Sequence, residues 1–356
     1  MKPNRISPCA LIRACISLCL VIVTTSCTQT LPASTSPLDS PGTKGTAEIP
    51  VAPKPTVPFA HTMMIDLSVP HRVVSKADVL MNSDDRSDCI QFCRAPHGDA
   101  SKTISRVYMA AGWNGYHQVS EDDRKLRNVL KEFHAAGIEV HNLQGYHGWA
   151  ADGGMTSALD VIENLLRFNM EGAKNERFDG LILDVEPYVL GVYNEDTMHW
   201  KTDSPTIWKN YLHVLDRIRE RIARYRSETG DAFPLGESIP DWYPVDPDDA
   251  GVSFRAVMDR MDYVWIMSYH DDWKVCSRAV RHELEYAKEL GRHVVIGLCV
   301  ISADQTGTFP DDQTFHEEGL GALENARTQL RNEFQDVSTF KELSIFIYDS
   351  YKDLRR

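Results

Sequence analysis

No glycine-rich GxGxxG turn, no HExxH pair and no GxSxG elbow occurs in this 356-residue chain. The sequence signals for dinucleotide binding, zinc peptidase and serine hydrolase chemistry are therefore missing. Its 13 histidines form no close ligand set with a carboxylate, so neither a metal nor a cofactor is expected. Positive charge is also short, with 38 Lys plus Arg against 51 Asp plus Glu and a net of −13. Such a surface repels phosphate backbones, which argues against nucleic acid as a partner. The apolar stretch 14–23 follows Lys2, Arg5 and Arg13 and is too short to span a bilayer; it reads as a secretory signal. Cysteine is scarcer than the count of eight suggests, because Cys9, Cys15 and Cys19 lie in that leader. Cys27 follows Thr24-Thr25-Ser26 in the manner of a bacterial lipoprotein cleavage site, which makes it the expected lipidation site. Cys89, Cys93, Cys276 and Cys299 remain, either as two disulfides in an oxidising compartment or as buried thiols.

What is present suits one large core. Residues are 42% hydrophobic and 25% charged. Residues 1–26 read as the leader. Without them 35 basic residues face 51 acidic ones, a net of −16. Residues 27–60 are rich in Ser, Thr, Pro and Gly and read as a tether, leaving 61–356 for the folded domain. There, short apolar runs alternate with helix-length amphipathic stretches, the pattern of a parallel α/β protein. Eight runs qualify as strands: 61–67, 105–111, 139–145, 180–186, 234–239, 263–270, 293–301 and 343–349. Helices between them have legible ends, such as Gly137 and Gly291 at C-termini and Asp203-Ser204-Pro205 opening the longest. Eight β/α units over this length predict a (β/α)8 TIM barrel, with a polar excursion over 70–102.

The stretch FDGLILDVEPY at 178–188 is the centre of the functional reading. A short apolar strand ending in two carboxylates is costly to desolvate without a use. Strand alternation puts Ile182, Asp184 and Glu186 on one face, the two acids about 7 Å apart at Cα. In a barrel the active groups collect at the C-terminal strand ends. Those ends carry Trp113 and Asn114, Gln144 and Tyr146, Tyr188, Glu237 and Trp242, Asp271, and Tyr348. Aromatic faces among amides and carboxylates suit a sugar, whose C–H faces stack on rings while its hydroxyls take hydrogen bonds.

These residues resemble glycoside hydrolase family 18, the chitinases and endo-β-N-acetylglucosaminidases. The family's DGxDxDxE on strand four is matched at four of five fixed positions by Asp179, Gly180, Asp184 and Glu186, with Ile182 in place of the middle acid. Its Met-x-Tyr on strand six is matched by Met267-Ser268-Tyr269, with His270 where an Asp usually follows. The floor Trp of strand eight has Tyr348 as its nearest aromatic. The resemblance implies that Glu186 is the general acid. It also implies that Asp184 steadies a substrate N-acetyl group attacking the anomeric carbon, and that Tyr269 hydrogen-bonds that acetamido group. The expected partners are a glycan and, through Cys27, a membrane, with the protein in the cell envelope. Two alternatives stay open. One is a muramidase resembling family 25, which also ends a strand in Asp-x-Glu; the other is a cell-surface carbohydrate-binding barrel without turnover.

Overall fold

The computed structural model describes residues 60–66, 82–111, 121–192, 196–302 and 310–356. The leader, the tether, Cys27, Trp113 and Asn114 lie outside them. Eight parallel strands close into a barrel in sequence order. They are β1 (Ala60–Asp66), β2 (Ile104–Ala110), β3 (Glu139–Gln144), β4 (Gly180–Leu183), β5 (Leu235–Pro240), β6 (Tyr263–Met267), β7 (His293–Cys299) and β8 (Phe340–Phe346). All eight expected strands exist. The bounds differ by up to three residues: β8 begins three before the expected 343, and β4 and β6 each end three short of the expected 186 and 270, so that Asp184 and Glu186 lie beyond the strand.

The described helices are α1 (Ser83–Arg94), α2 (Glu121–Ala135), α3 (Gly154–Glu171), α4 (Trp200–Thr229), α5 (Phe254–Met258), α6 (Trp273–Ala279), α7 (Arg281–Leu290), α8 (Gly319–Glu333) and α9 (Tyr348–Lys352). α1 supplies order within the expected polar excursion. α4 starts before the expected Asp203-Ser204-Pro205, because the Asp203 carboxylate accepts the His199 N–H at 2.9 Å and so anchors an earlier first turn. The four cysteines of the described domain are free, buried thiols. Burial pushes both Cys276 and Cys299 up to about 12, so neither is poised as a nucleophile.

Paired residues of parallel strands share a face, so the register identifies the barrel interior. Tyr108 lies beside His141, His141 beside Gly180, Gly236 beside Tyr263, and Tyr263 beside His293. Large rings are accommodated by facing glycines. A Cβ on Gly236 would fall 2.3 Å from the Tyr263 ring, and one on Gly297 2.1 Å from the Trp265 ring. Gly297→Ala therefore forces the indole, which is fully buried, out of place. Overpacking of this kind costs about 1–3 kcal/mol, to be read as a lower urea midpoint with an unchanged slope.

Candidate active site

Of the residues singled out from the sequence, Asp184, Glu186 and Tyr188 lie at the C-terminal end of β4. The strand stops at Leu183, and Asp184 continues its interior face two residues beyond Ile182. Its backbone N–H is held by the Gln144 carbonyl at 2.9 Å. β3 and β4 approach so closely here that a Cβ on Gly145 would fall 1.9 Å from the Asp184 carbonyl oxygen; no residue but glycine fits. Glu186 then turns into the left-handed region at φ 50°, ψ 59° and starts a short 3-10 turn, Pro187–Val189. A non-glycine residue held there costs of order 1–3 kcal/mol, and such outliers cluster at functional sites.

Both acids are buried, Asp184 at 8% and Glu186 at 3% exposure. Desolvation raises the Asp184 carboxyl to about 7. Glu186 accepts a 2.5 Å hydrogen bond from the Tyr188 hydroxyl. The Tyr188 ring meets Trp242 edge-on at 5.0 Å, and Trp242 is 38% exposed. An aromatic open to solvent thus leads, through one tyrosine, to a buried carboxylate. Asp184, Glu186, Tyr188 and Trp242 form one neighbourhood.

Tyr269 lies on the other side of the mouth, beyond β6. It stacks on Phe346 with ring centroids 5.5 Å apart and 20° between planes, and it contacts Trp265 edge-on at 6.0 Å. Gln144 ties the ends of β2 and β3 by donating its side-chain amide to the Ala111 carbonyl. Tyr146 packs on His147 at 4.4 Å. Asp271 sits at the β6 edge, where its N–H bonds the Asp312 carbonyl and burial, followed by the Asp312 charge, raises its carboxyl.

Three expected residues are turned away, Gln144 among them, since it pairs with Leu183 and so shares the outward face of Glu237. Glu237 was expected at the mouth, but alternation along β5 points it outward, where it accepts the Tyr211 hydroxyl of α4 at 2.9 Å. Tyr348 was expected to replace the strand-eight tryptophan. It opens α9 instead and packs on Phe92 of α1 at 5.7 Å. Phe346 occupies the interior position against Tyr269. Counting the alternation forward from Ser344 would have found it.

Two buried or half-buried pairs at the mouth join Asp241, His270 and His147, polar residues of the strand ends, in contacts that the sequence did not indicate, the last of them with Asp196. Asp241 and His270 meet at 2.8 Å, next in sequence to Trp242 and Tyr269. His147 and Asp196 meet at 3.4 Å, and Asp196 also accepts the Gly191 N–H at 2.8 Å. Their signal was weak, since each partner lies on a different strand-end loop. Among the described residues no group of three His, Cys, Asp or Glu side chains is placed to hold a metal ion.

No family model matches the sequence, and no curated protein matches it either. Solved structures do. The β-glucosidase of Thermotoga maritima is 12% identical, with a TM-score of 0.50 over 82% of this chain and 88% of that one. The fold is the (β/α)8 barrel found in that enzyme. Other similar structures are a chitinase from Chromobacterium violaceum, 13% identical over 83% of this chain and 97% of that one with a TM-score of 0.45, and a glycoside hydrolase family 18 N-acetylglucosaminidase from Paenibacillus barengoltzii, 16% identical over 68% of each chain with a TM-score of 0.38.

Proposed function

We propose that the chain is a divergent family 18-like glycoside hydrolase that cleaves a β-linked, N-acetylhexosamine-containing glycan, with Glu186 as general acid. The reading rests on one observation above all. Two buried acids, Asp184 and Glu186, stand at the end of an interior strand beside a solvent-exposed tryptophan. Similarity of fold to known glycoside hydrolases is consistent with this. Glu186 protonates the glycosidic oxygen as the substrate's own acetamido oxygen attacks the anomeric carbon and the bond to the departing sugar breaks; a water that gives its proton back to Glu186 then opens the cyclic intermediate. Asp184 accepts the acetamido N–H and offsets the positive charge that grows on that group, and Tyr269 donates to the acetamido oxygen. A two-carboxylate scheme with its nucleophile at the end of strand seven, as in another class of barrel glycosidases, finds no acid in β7 (His293–Cys299). Residues 1–27 extend the proposal to export and a lipid anchor at Cys27, placing the protein in the cell envelope.

The test offers purified protein an N-acetylated chito-oligosaccharide, its de-N-acetylated counterpart and peptidoglycan strands, and measures released reducing ends. Cleavage is expected only where an acetamido group precedes the scissile bond. Equal cleavage of the de-N-acetylated oligomer would remove substrate assistance. Cleavage of peptidoglycan alone would favour the muramidase reading, and binding without any release a carbohydrate-binding role. Because Asp184 must be ionised to act and its carboxyl sits at about 7, kcat/KM should rise with pH through that value. Asp184→Asn should lower the rate and abolish this limb.

A further inference from the structure

Glu237 is an expensive residue with no part in the chemistry above. Its neighbours on the outward face of β5, Leu235 and Ile239, are apolar and buried, and Glu237 is wholly buried between them. An isolated carboxyl in such a layer costs several kcal/mol unless hydrogen bonds offset it. Two bonds reach the same oxygen, Oε1. One comes from the Tyr211 hydroxyl of α4 at 2.9 Å, the other from the Val185 backbone N–H at 3.2 Å. Val185 is the residue between Asp184 and Glu186.

The register explains why that N–H needs a side-chain partner. The pairing of β4 with β5 ends at Leu183 beside Glu237. Beyond that point β4 leaves the sheet, and the Val185 N–H faces a place where the ladder no longer continues. Buried backbone donors are almost always paired, and here the pair is the Glu237 carboxyl. β4 can then peel from β5 early enough for Glu186 to take its left-handed turn.

We propose that Glu237 is a positioning residue for the candidate acids: it clamps the peptide that joins Asp184 to Glu186 and, through Tyr211, ties that peptide to α4. The inference rests on the catalytic reading of Asp184 and Glu186 but concerns a separate contact. Three groups face the Glu237 carboxyl. The Tyr211 hydroxyl and Val185 N–H donate to it, and Asp184 acts on it through its charge. Burial, which is the largest influence, drives the carboxyl well above the usual glutamate range. Both donors reach Oε1, and glutamine presents an acceptor oxygen of the same reach.

The test compares Glu237→Gln with Glu237→Met. Gln keeps an acceptor oxygen where Oε1 stands, whereas Met fills the space without one. Gln is expected to stay within about threefold of the native kcat. Met should lose at least about tenfold in kcat with KM nearly unchanged, in line with the large rate cost of small misplacements. A role in stability alone predicts that Met lowers the urea midpoint and leaves the kcat of the folded protein at the native value. The Met variant leaves the Val185 N–H and Tyr211 hydroxyl without their acceptor and should unfold at a lower urea midpoint, so its kcat is read well below that midpoint, where it is fully folded. A second measurement does not depend on turnover: the Val185 amide should exchange slowly with solvent in the native protein and in the Gln variant, and much faster in the Met variant. Native-like kcat in Glu237→Met, or unchanged Val185 exchange, overturns the proposal. A native protein that cleaves no acetamido sugar overturns the catalytic reading and leaves the exchange experiment to decide the clamp.

Discussion

Glu186→Gln is expected to fold like the native protein and to turn over glycan about 10²–10⁴-fold more slowly, the usual contribution of a general acid. The substitution removes the proton donor but little else. Gln retains an oxygen to accept the Tyr188 hydroxyl, which lies 2.5 Å from Oε1. It has the same backbone requirements at φ 50°, and it leaves the contact of Tyr188 with Trp242 in place. Loss should therefore fall on kcat, with oligosaccharide affinity, measured by calorimetry on the inactive variant, close to native. The urea midpoint should also be preserved. A Gln variant that hydrolyses at a near-native rate would take the acid role from Glu186, whatever the fate of Asp184.

Much of the barrel was legible because its strands are buried on both faces and read as apolar runs between capped helices. The place where that reading slipped is instructive. β8 was expected to begin at 343, but Lys341 and Glu342 belong to it. Their strand membership depends on Arg106, 236 positions away in sequence, which makes an interior place for Glu342. A local pattern cannot reveal a cost that is offset across the barrel. The same slip shifted attention from Phe346 to Tyr348. Glu237 is a different kind of miss, since the alternation of Leu235, Glu237 and Ile239 against Gly236 and Ser238 was there to be counted. Treating every polar residue at a strand end as part of the mouth ignored it. The left-handed turn at Glu186 had no such signal, because it depends on where β4 leaves the sheet.

Arg106→Met should be the most destabilising single change considered, at about 3–5 kcal/mol, the range for removing one partner of a buried ion pair. Arg106 enters the barrel interior from β2, opposite the candidate site, and meets Glu342 of β8; Glu342 is 2% exposed. The other Glu342 oxygen accepts the Tyr108 hydroxyl at 2.7 Å. Above these groups lie the rings of Tyr263 and His293, stacked 5.0 Å apart and nearly parallel. Burial holds His293 below the usual histidine range, and its Nε2, 3.7 Å from Glu342 Oε1, is beyond hydrogen-bond reach. Removing the guanidinium strands a carboxylate among aromatic rings, with a tyrosine hydroxyl as its chief remaining donor. The contact of Arg106 with Glu139 adds little, because the Glu139 side chain is 52% exposed. The penalty belongs to the unpaired charge rather than to the loss of an especially favourable bond. A second substitution should therefore recover most of it: Arg106→Met with Glu342→Leu is expected to unfold near the native urea midpoint. If the double variant is as unstable as the single one, the cost lies in the packing of the barrel floor and not in its charge.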